Sequence, residues 1–340
     1  MLQKKPFKVI KLEFISPLHI GLGAGNQYDN MDTLLHSDTI SGALASAYVS
    51  LFNDGQVLEF MQSFTISSAF PFQQNHYFLP KPLMRIKLEQ GNKSNEDEAT
   101  SLDGIEYIEL PLYQTLIADG ILRINHGRQS EHKKFLWAGE DSNQPSFMKS
   151  SMQQRLMVPR YGIEDAASYY IERLFFSKGS GLFFFIEASA DALGKVASCL
   201  SFLETSGFGT DKSVGNGQFR TSTDSISIDV PVNSNYHLLL SLYCPGREEI
   251  SEEILQKSAY HLTRRGGYIA GTSIDKFRHL RSRSIYMMRE GAVMYGNVPK
   301  GKIINLRPSW NDDALHPVWR DGRAFSVPVA QNNAHDFSFS

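Results

Sequence analysis

From Phe7 to Ile15 an apolar run is broken by Lys8, Lys11 and Glu13, the spacing of a strand. A glycine-rich loop follows, Gly21-Leu-Gly-Ala-Gly25. Behind it His36-Ser-Asp-Thr39 offers Ser37 or Asp38 as an N-cap, predicting a helix of small residues over roughly Ile40 to Phe52. Phe70-Pro-Phe72 and His76-Tyr-Phe-Leu-Pro80 predict a short strand between turns. Residues 90–101 and 126–154 are polar and hold neither period for long. The stretch Leu88 to Arg155 therefore reads as an insertion, partly a hairpin and partly mobile. A strand resumes at Tyr169 to Phe176, and the turn Lys178-Gly-Ser-Gly181 predicts a hairpin with Leu182 to Ala188. A helix over roughly Asp191 to Glu204 carries Leu193, Val196, Ala197, Leu200 and Leu203 at helical spacing. Gly207 to Gly217 is a second glycine loop, and a strand starts at Gln218.

Without the insertion this order is strand, helix, strand, strand, helix, strand, the pattern of a ferredoxin-like unit. A second copy is predicted from the strand Tyr236 to Tyr243, a helix Glu249 to Ala259, a strand Tyr260 to Ala270 and a hairpin near Ser284 to Met294. The expected fold class is α+β, with two tandem ferredoxin-like domains: residues 1–230 with the insertion at about 88–155, and residues 231–330. Residues 331–340 read as a frayed tail.

The 340 residues suit two ordinary domains, and 41% hydrophobic against 21% charged residues describes a chain with a real core. A net charge of -2 excludes a surface coated in positive charge and leaves room for a local basic groove. Cys199 and Cys244 stand far apart in no metal-binding spacing, which sets a reduced, cytoplasmic compartment as the expectation, with no metal and no cofactor. The most apolar run, residues 181–186, is far too short to span a bilayer, and the N-terminus lacks the apolar core of a signal peptide.

Three features bear on chemistry. Gly207, Gly209, Gly215 and Gly217 let backbone amides approach a ligand, with Phe208 between them and Lys212 and Ser213 adding charge and a hydroxyl. A plain helix-to-strand connection explains the same composition. The stretch Tyr260 to Arg307 is basic, with Arg264, Arg265, Arg278, Arg281 and Arg283 interleaved with Tyr268, Phe277 and Tyr286. Guanidinium forks match phosphates and aromatic faces stack on bases, although a solvated charged face has the same look. His19 and His36 could serve a ribonuclease as general base, and Asp32 could act in cleavage, but each also reads as an ordinary structural or solvated residue.

The series Ser16-Pro-Leu-His-Ile-Gly-Leu-Gly23, His36-Ser-Asp-Thr-Ile40, Phe70-Pro-Phe72 and Leu79-Pro-Lys81 resembles the Csm subunit four family, RAMP proteins of type III-A CRISPR effector complexes. So do the glycine loop, Arg264-Arg-Gly-Gly-Tyr268 and His316-Pro-Val-Trp-Arg320. The resemblance implies two RRM-like domains and a thumb-like hairpin within the insertion that meets target RNA near the tag end. It implies a non-catalytic subunit that binds the repeat-derived 5′ tag of the crRNA. It also implies contacts to the large polymerase/cyclase-like signature subunit and to a backbone RAMP subunit. Carried over by position, His19, Gly21, Ser37, Thr39 and Ser41 fall where RAMP proteins face RNA, and a helix N-terminus gives that placement a physical reason. Two rival functions stay open: a RAMP endoribonuclease that processes crRNA precursor with His19 or His36 as base, and a protein-only structural adaptor.

Overall fold

In the computed structural model, the residues described are 1–21, 32, 34–90, 102–124, 128–129, 134–139, 146–157, 167–209, 215–269, 280–309 and 315–330. They form an α+β architecture that is mostly strand. A nine-stranded sheet runs in the order Phe219–Pro231, Leu2–Phe14, Ser180–Ala188, Phe70–Gln73, His76–Pro80, Tyr107–Glu109, Phe135–Trp137 and Arg128–Gln129, with Phe64–Ile66 also paired to Ser180–Ala188. The opening strand pairs along its whole length with Phe219–Pro231, from Leu2 opposite Pro231 to Phe14 opposite Phe219.

Strand side chains alternate between faces, and here both faces are covered. Ile10, Leu12, Leu182, Phe184 and Ile186 point to the helices Ser37–Phe52 and Ala190–Ser206, where they meet Leu44, Val196 and Leu200. Phe7, Val9, Phe183 and Phe185 point the other way, against Leu238, Leu240, Phe325 and Val327 of the C-terminal part. That is why the run 181–186 is continuously apolar. Each such side chain contributes about 1.5–3 kcal/mol by leaving water.

Several expectations needed correction. The helix at Ser37–Phe52 begins three residues earlier than its apolar period. The strands Ala167–Phe176 and Ser180–Ala188 do not pair with each other: the first forms a long hairpin with Met148–Met157, and the second enters the main sheet. The turn at 178–181 is real, but it hands the chain from one sheet to another. The region 70–80 holds two strands, and Gln74 takes a left-handed φ of 53° at the turn between them. Within the stretch expected to be an insertion, Leu110–Asp119 is a helix, with Pro111 in its first turn and Leu112, Tyr113, Leu116 and Ile117 buried. Its four apolar positions were overshadowed by the polar runs on either side.

In the C-terminal part, Tyr236–Leu239 lies between Val293–Tyr295 and Ser326–Pro328. Leu262–Arg265 pairs with Ile285–Met288, and Gly301–Asn305 with Trp319–Arg323. The hairpin expected near 284–294 is therefore split, because its two strands join different sheets. Glu252–Gln256 is the α-helix described there, shorter than the 249–259 expected. Among the described residues no helix is long and apolar enough to cross a membrane.

Candidate nucleic-acid interface

The glycine loop starts where the helix Ala190–Ser206 stops, with the Gly207 N–H donating to Leu203 O at 2.7 Å. Gly207, Gly209, Gly215 and Gly217 all have φ between 74° and 85°, a region that L side chains avoid. Three of them are needed for close backbone packing as well, a Cβ on Gly207 coming within 2.6 Å of Asn216 O. A Cβ on Gly209 would sit 2.2 Å from His19 O, and one on Gly217 would sit 1.9 Å from Phe208 O. The Gly217 N–H donates to Pro17 O at 2.8 Å, and Gln218 N–H donates to Ser16 Oγ at 2.8 Å. The two loops that carry the motifs are thus laid backbone to backbone.

This geometry changes what the loop's parts can do. The amides of Gly207, Phe208 and Gly217 are engaged internally, so they are not part of a cradle for phosphate. Phe208 is 1% exposed and packs on Phe219 with ring centres 5.0 Å apart, which makes it core and not a stacking platform for a base. Lys212 and Ser213 lie outside the described residues, as does Arg278. Gly215 keeps open space around it and Gly21 is exposed. His19 is buried, with its ring Nδ1 2.6 Å from Glu172 O, a bond that orders the first loop against the long hairpin. Gly209→Ala is expected to destabilise by about 3 kcal/mol or more, since strain and a backbone clash add. Gly215→Ala is expected to cost only the left-handed φ, about 1–2 kcal/mol. Urea denaturation of both variants checks the contrast.

The start of the helix Ser37–Phe52 is the largest departure from expectation. Ser37 is buried: its N–H donates to Ser68 Oγ at 2.8 Å and its Oγ accepts from Leu242 N–H at 3.1 Å. Asp38, fully buried, is held by Arg265 through Nε and Nη2, both at 2.9 Å, and by Arg320 Nη1 at 2.8 Å. Thr39 Oγ1 accepts from Arg265 Nη2 at 3.0 Å. Ser41 Oγ donates to Asp321 at 2.9 Å, and Arg323 covers that carboxylate at 2.6 Å. His36 stands between two acids, Nε2 at 2.9 Å from Asp32 and Nδ1 at 2.7 Å from Glu290, and Ser68 Oγ also donates to Glu290. Ser37, Thr39, Ser41 and Arg265 therefore belong to a largely buried junction between the two halves of the chain, where their polar groups are engaged by other residues of the chain. A helix N-terminus attracts any anion, and here the chain supplies its own.

The electrostatics are balanced. Asp32, Asp38 and Glu290 face Arg265, Arg320 and His36. Burial by itself would lower the His36 pKa, but the Glu290 charge and hydrogen bonds to both carboxylates raise it to about 9. Burial would raise Asp38, yet Arg265 and Arg320 hold it well below the usual carboxylate range. Burial would raise Asp32 and Glu290 too, but His36, joined by the Leu34 N–H and Arg265 at Asp32 and by the Ser68 hydroxyl at Glu290, lowers both. Nothing local in the sequence marks Glu290 or Asp321, which lie more than 250 residues from His36 and Ser41 respectively.

Adjacent arginines take opposite fates because they sit on one strand. Arg265 points inward to Asp38, while Arg264 points out, across from Tyr286. Tyr286 is 64% exposed and Tyr268 is 56% exposed. The Arg281 guanidinium lies over the Tyr268 ring at 5.0 Å, and Arg283 Nη2 donates to Asn305 O at 2.8 Å while staying exposed. Arg264 Nη2 reaches Ser284 Oγ at 3.2 Å. The result is an exposed strip of arginine and tyrosine outside the junction. It suits phosphates and unpaired bases.

Residues 232–329 match the family described as the CRISPR Csm4 C-terminal domain. A curated relative from Thermococcus onnurineus (strain NA1), named CRISPR system Cms protein Csm4, is 25% identical over 244 residues, which are 67% of this chain and 76% of the relative. Over its C-terminal region this chain is thus similar to the Csm4 family. Its fold agrees with that of a chain in the crystal structure of a Csm1–Csm4 cassette in complex with cA4, at 19% identity and a TM-score of 0.60 over 97% of this chain and all of the other. It agrees equally with a chain of the Csm3–Csm4 subcomplex in the type III-A CRISPR-Cas interference complex, at 17% identity and a TM-score of 0.60 over 96% of this chain and all of the other. The matched C-terminal region starts directly after the strand Phe219–Pro231. It carries the exposed strip and the distal half of the buried junction, Arg265, Glu290 and Arg320.

Proposed function

We propose that this chain is a non-catalytic RNA-binding subunit of a type III-A CRISPR interference complex, which caps the crRNA by holding its repeat-derived 5′ tag and anchors the large signature subunit. The observation that carries the RNA reading is the exposed strip Arg264, Tyr268, Arg281, Arg283 and Tyr286, whose cations have no carboxylate against them among the described residues. The C-terminal match to the Csm4 family model and a fold shared with chains of Csm1–Csm4 and Csm3–Csm4 assemblies support a place beside the large subunit and a backbone subunit. The strand order with two helices on one face supports reading residues 1–230 as a ferredoxin-like unit and residues 231–330 as a second domain. We assign the thumb to the hairpin Met148–Met157 with Ala167–Phe176, which extends past the edge at 155 expected from sequence and would meet target RNA near the tag end.

A nuclease reading asks a histidine to accept a proton. His36 has both ring nitrogens against carboxylates and keeps its proton up to about pH 9, so it is no base at neutral pH. Asp32 is committed to His36. Arg264→Ala and Arg283→Ala are each expected to leave folding intact and weaken crRNA binding. Each should lower the slope of log affinity against log salt by about 0.7, the value for one phosphate of a single strand. Filter binding across a salt series checks this, and slopes equal to the parent's for both variants would favour the protein-only adaptor.

A further inference from the structure

The long hairpin carries a residue that the exposed strip does not account for. Arg173 is only 6% exposed, and its Nε and Nη2 have no hydrogen-bond partner. Among the described residues no carboxylate pairs with it; its neighbour Glu172 points to the opposite face and takes a bond from Ser150. A buried cation left in this state is costly, because desolvation is not offset.

Its position follows from register. Leu18 and Leu174 exchange both backbone hydrogen bonds, Leu18 N–H to Leu174 O at 2.9 Å and Leu174 N–H to Leu18 O at 2.8 Å. One step along, Arg173 stands across from His19, and on its other side across from Ser151. His19 O is the atom against which Gly209 is packed. Arg173 therefore sits where the first loop, the glycine loop and the base of the hairpin meet. At the two ends of the glycine loop, Ser206 Oγ and Asn216 Nδ2 are also buried without partners. Each of these three unpartnered groups can donate, and a buried guanidinium without a counter-charge lacks an anion.

We infer that Arg173 is a phosphate-binding residue of this subunit, taking a backbone phosphate of the RNA that the two loops grip. The inference rests on the RNA-binding reading above. A guanidinium suits the task because its fork meets two phosphate oxygens at once, and burial strengthens the contact. A partner protein's carboxylate would satisfy the same charge. The RNA is favoured because the chain already offers an exposed arginine–tyrosine strip suited to phosphates and bases, so one RNA would supply anions to both places.

The test uses the purified full chain, a labelled crRNA transcribed from the same locus, and the variants Arg173→Gln and Arg173→Lys. The Gln variant should melt at or above the parent temperature, since it removes an uncompensated charge, and should bind the crRNA about tenfold more weakly. Its salt slope should drop by about 0.7, whereas the Lys variant keeps the slope and binds with intermediate affinity. A Gln variant that fails to fold or melts several degrees lower would make Arg173 structural and overturn the inference. Parent-like affinity and slope in the Gln variant would overturn it while leaving the RNA reading intact. Failure of the parent chain to bind the crRNA at all would overturn both. Unchanged RNA binding with loss of partner subunits on co-purification would assign the place to a protein carboxylate.

Discussion

Asp38→Ala is expected to destabilise the chain by about 3–5 kcal/mol, the largest effect of any single substitution in the junction. The carboxylate is fully buried and compensates two guanidinium groups that come from segments more than 220 residues away. Its removal leaves Arg265 and Arg320 desolvated without their counter-charge, and it frees the helix start from the strand Leu262–Arg265. Thermal and urea midpoints check the size of the loss. The same substitution made in an Arg265→Met background is expected to cost clearly less, because one of the two stranded charges is already gone. Equal losses in both backgrounds would mean that Asp38 acts through something other than this pair. Arg265, expected from sequence to grip RNA, should accordingly reveal itself through stability: Arg265→Ala lowers the midpoint, and any loss of crRNA follows from that.

The second large effect is a dependence on alkaline pH. His36 has a folded-state pKa of about 9 against about 6.5 unfolded, so folding binds its proton more tightly. A raised pKa contributes stability that is fully present below about pH 6.5 and is lost as pH climbs through about 9, and the shift corresponds to about 3 kcal/mol. The lowered carboxylates Asp32, Asp38 and Glu290 work in the opposite sense. Their contribution is present above the ordinary carboxylate range and fades as pH falls through their folded values. Stability should therefore be highest in mildly acidic solution and decline between pH 6.5 and 9. His36→Gln cannot carry the charge and should flatten that decline while lowering stability at pH 6.5. A decline of the same steepness in the variant would assign it to another group.

Both effects arise from residues that sequence reasoning placed differently, and the reason is physical. The strand from Phe7, the helix after His36 and the helix from about Asp191 were legible because each buries one periodic stripe. The glycine loop was legible as a place of unusual backbone. Its function was not, because composition cannot say whether an amide meets a ligand or Pro17 O. Arg264 and Arg265 look identical in sequence, and only the pleat of the strand separates an exposed cation from a buried one. Phe208 was grouped with the loop, whereas its ring belongs to the core beneath it. Nothing near Arg173 in sequence reveals that it lies across from His19. The family resemblance rested on short motifs spread along the chain. The structure brings several of them, from Ser16, His36, Arg264 and Arg320, into two adjoining places.

The proposed function has this chain grip RNA, with the first and glycine loops and the exposed arginine–tyrosine strip as its contact surfaces. Ultraviolet crosslinking of the assembled complex with its own crRNA, read by mass spectrometry, tests it most directly. The account predicts RNA adducts on peptides spanning 15–21, 207–219 and 260–289, with Tyr268 and Tyr286 among the adducted residues. Adducts confined to the other subunits, with none on this chain while the complex retains its crRNA, would contradict it.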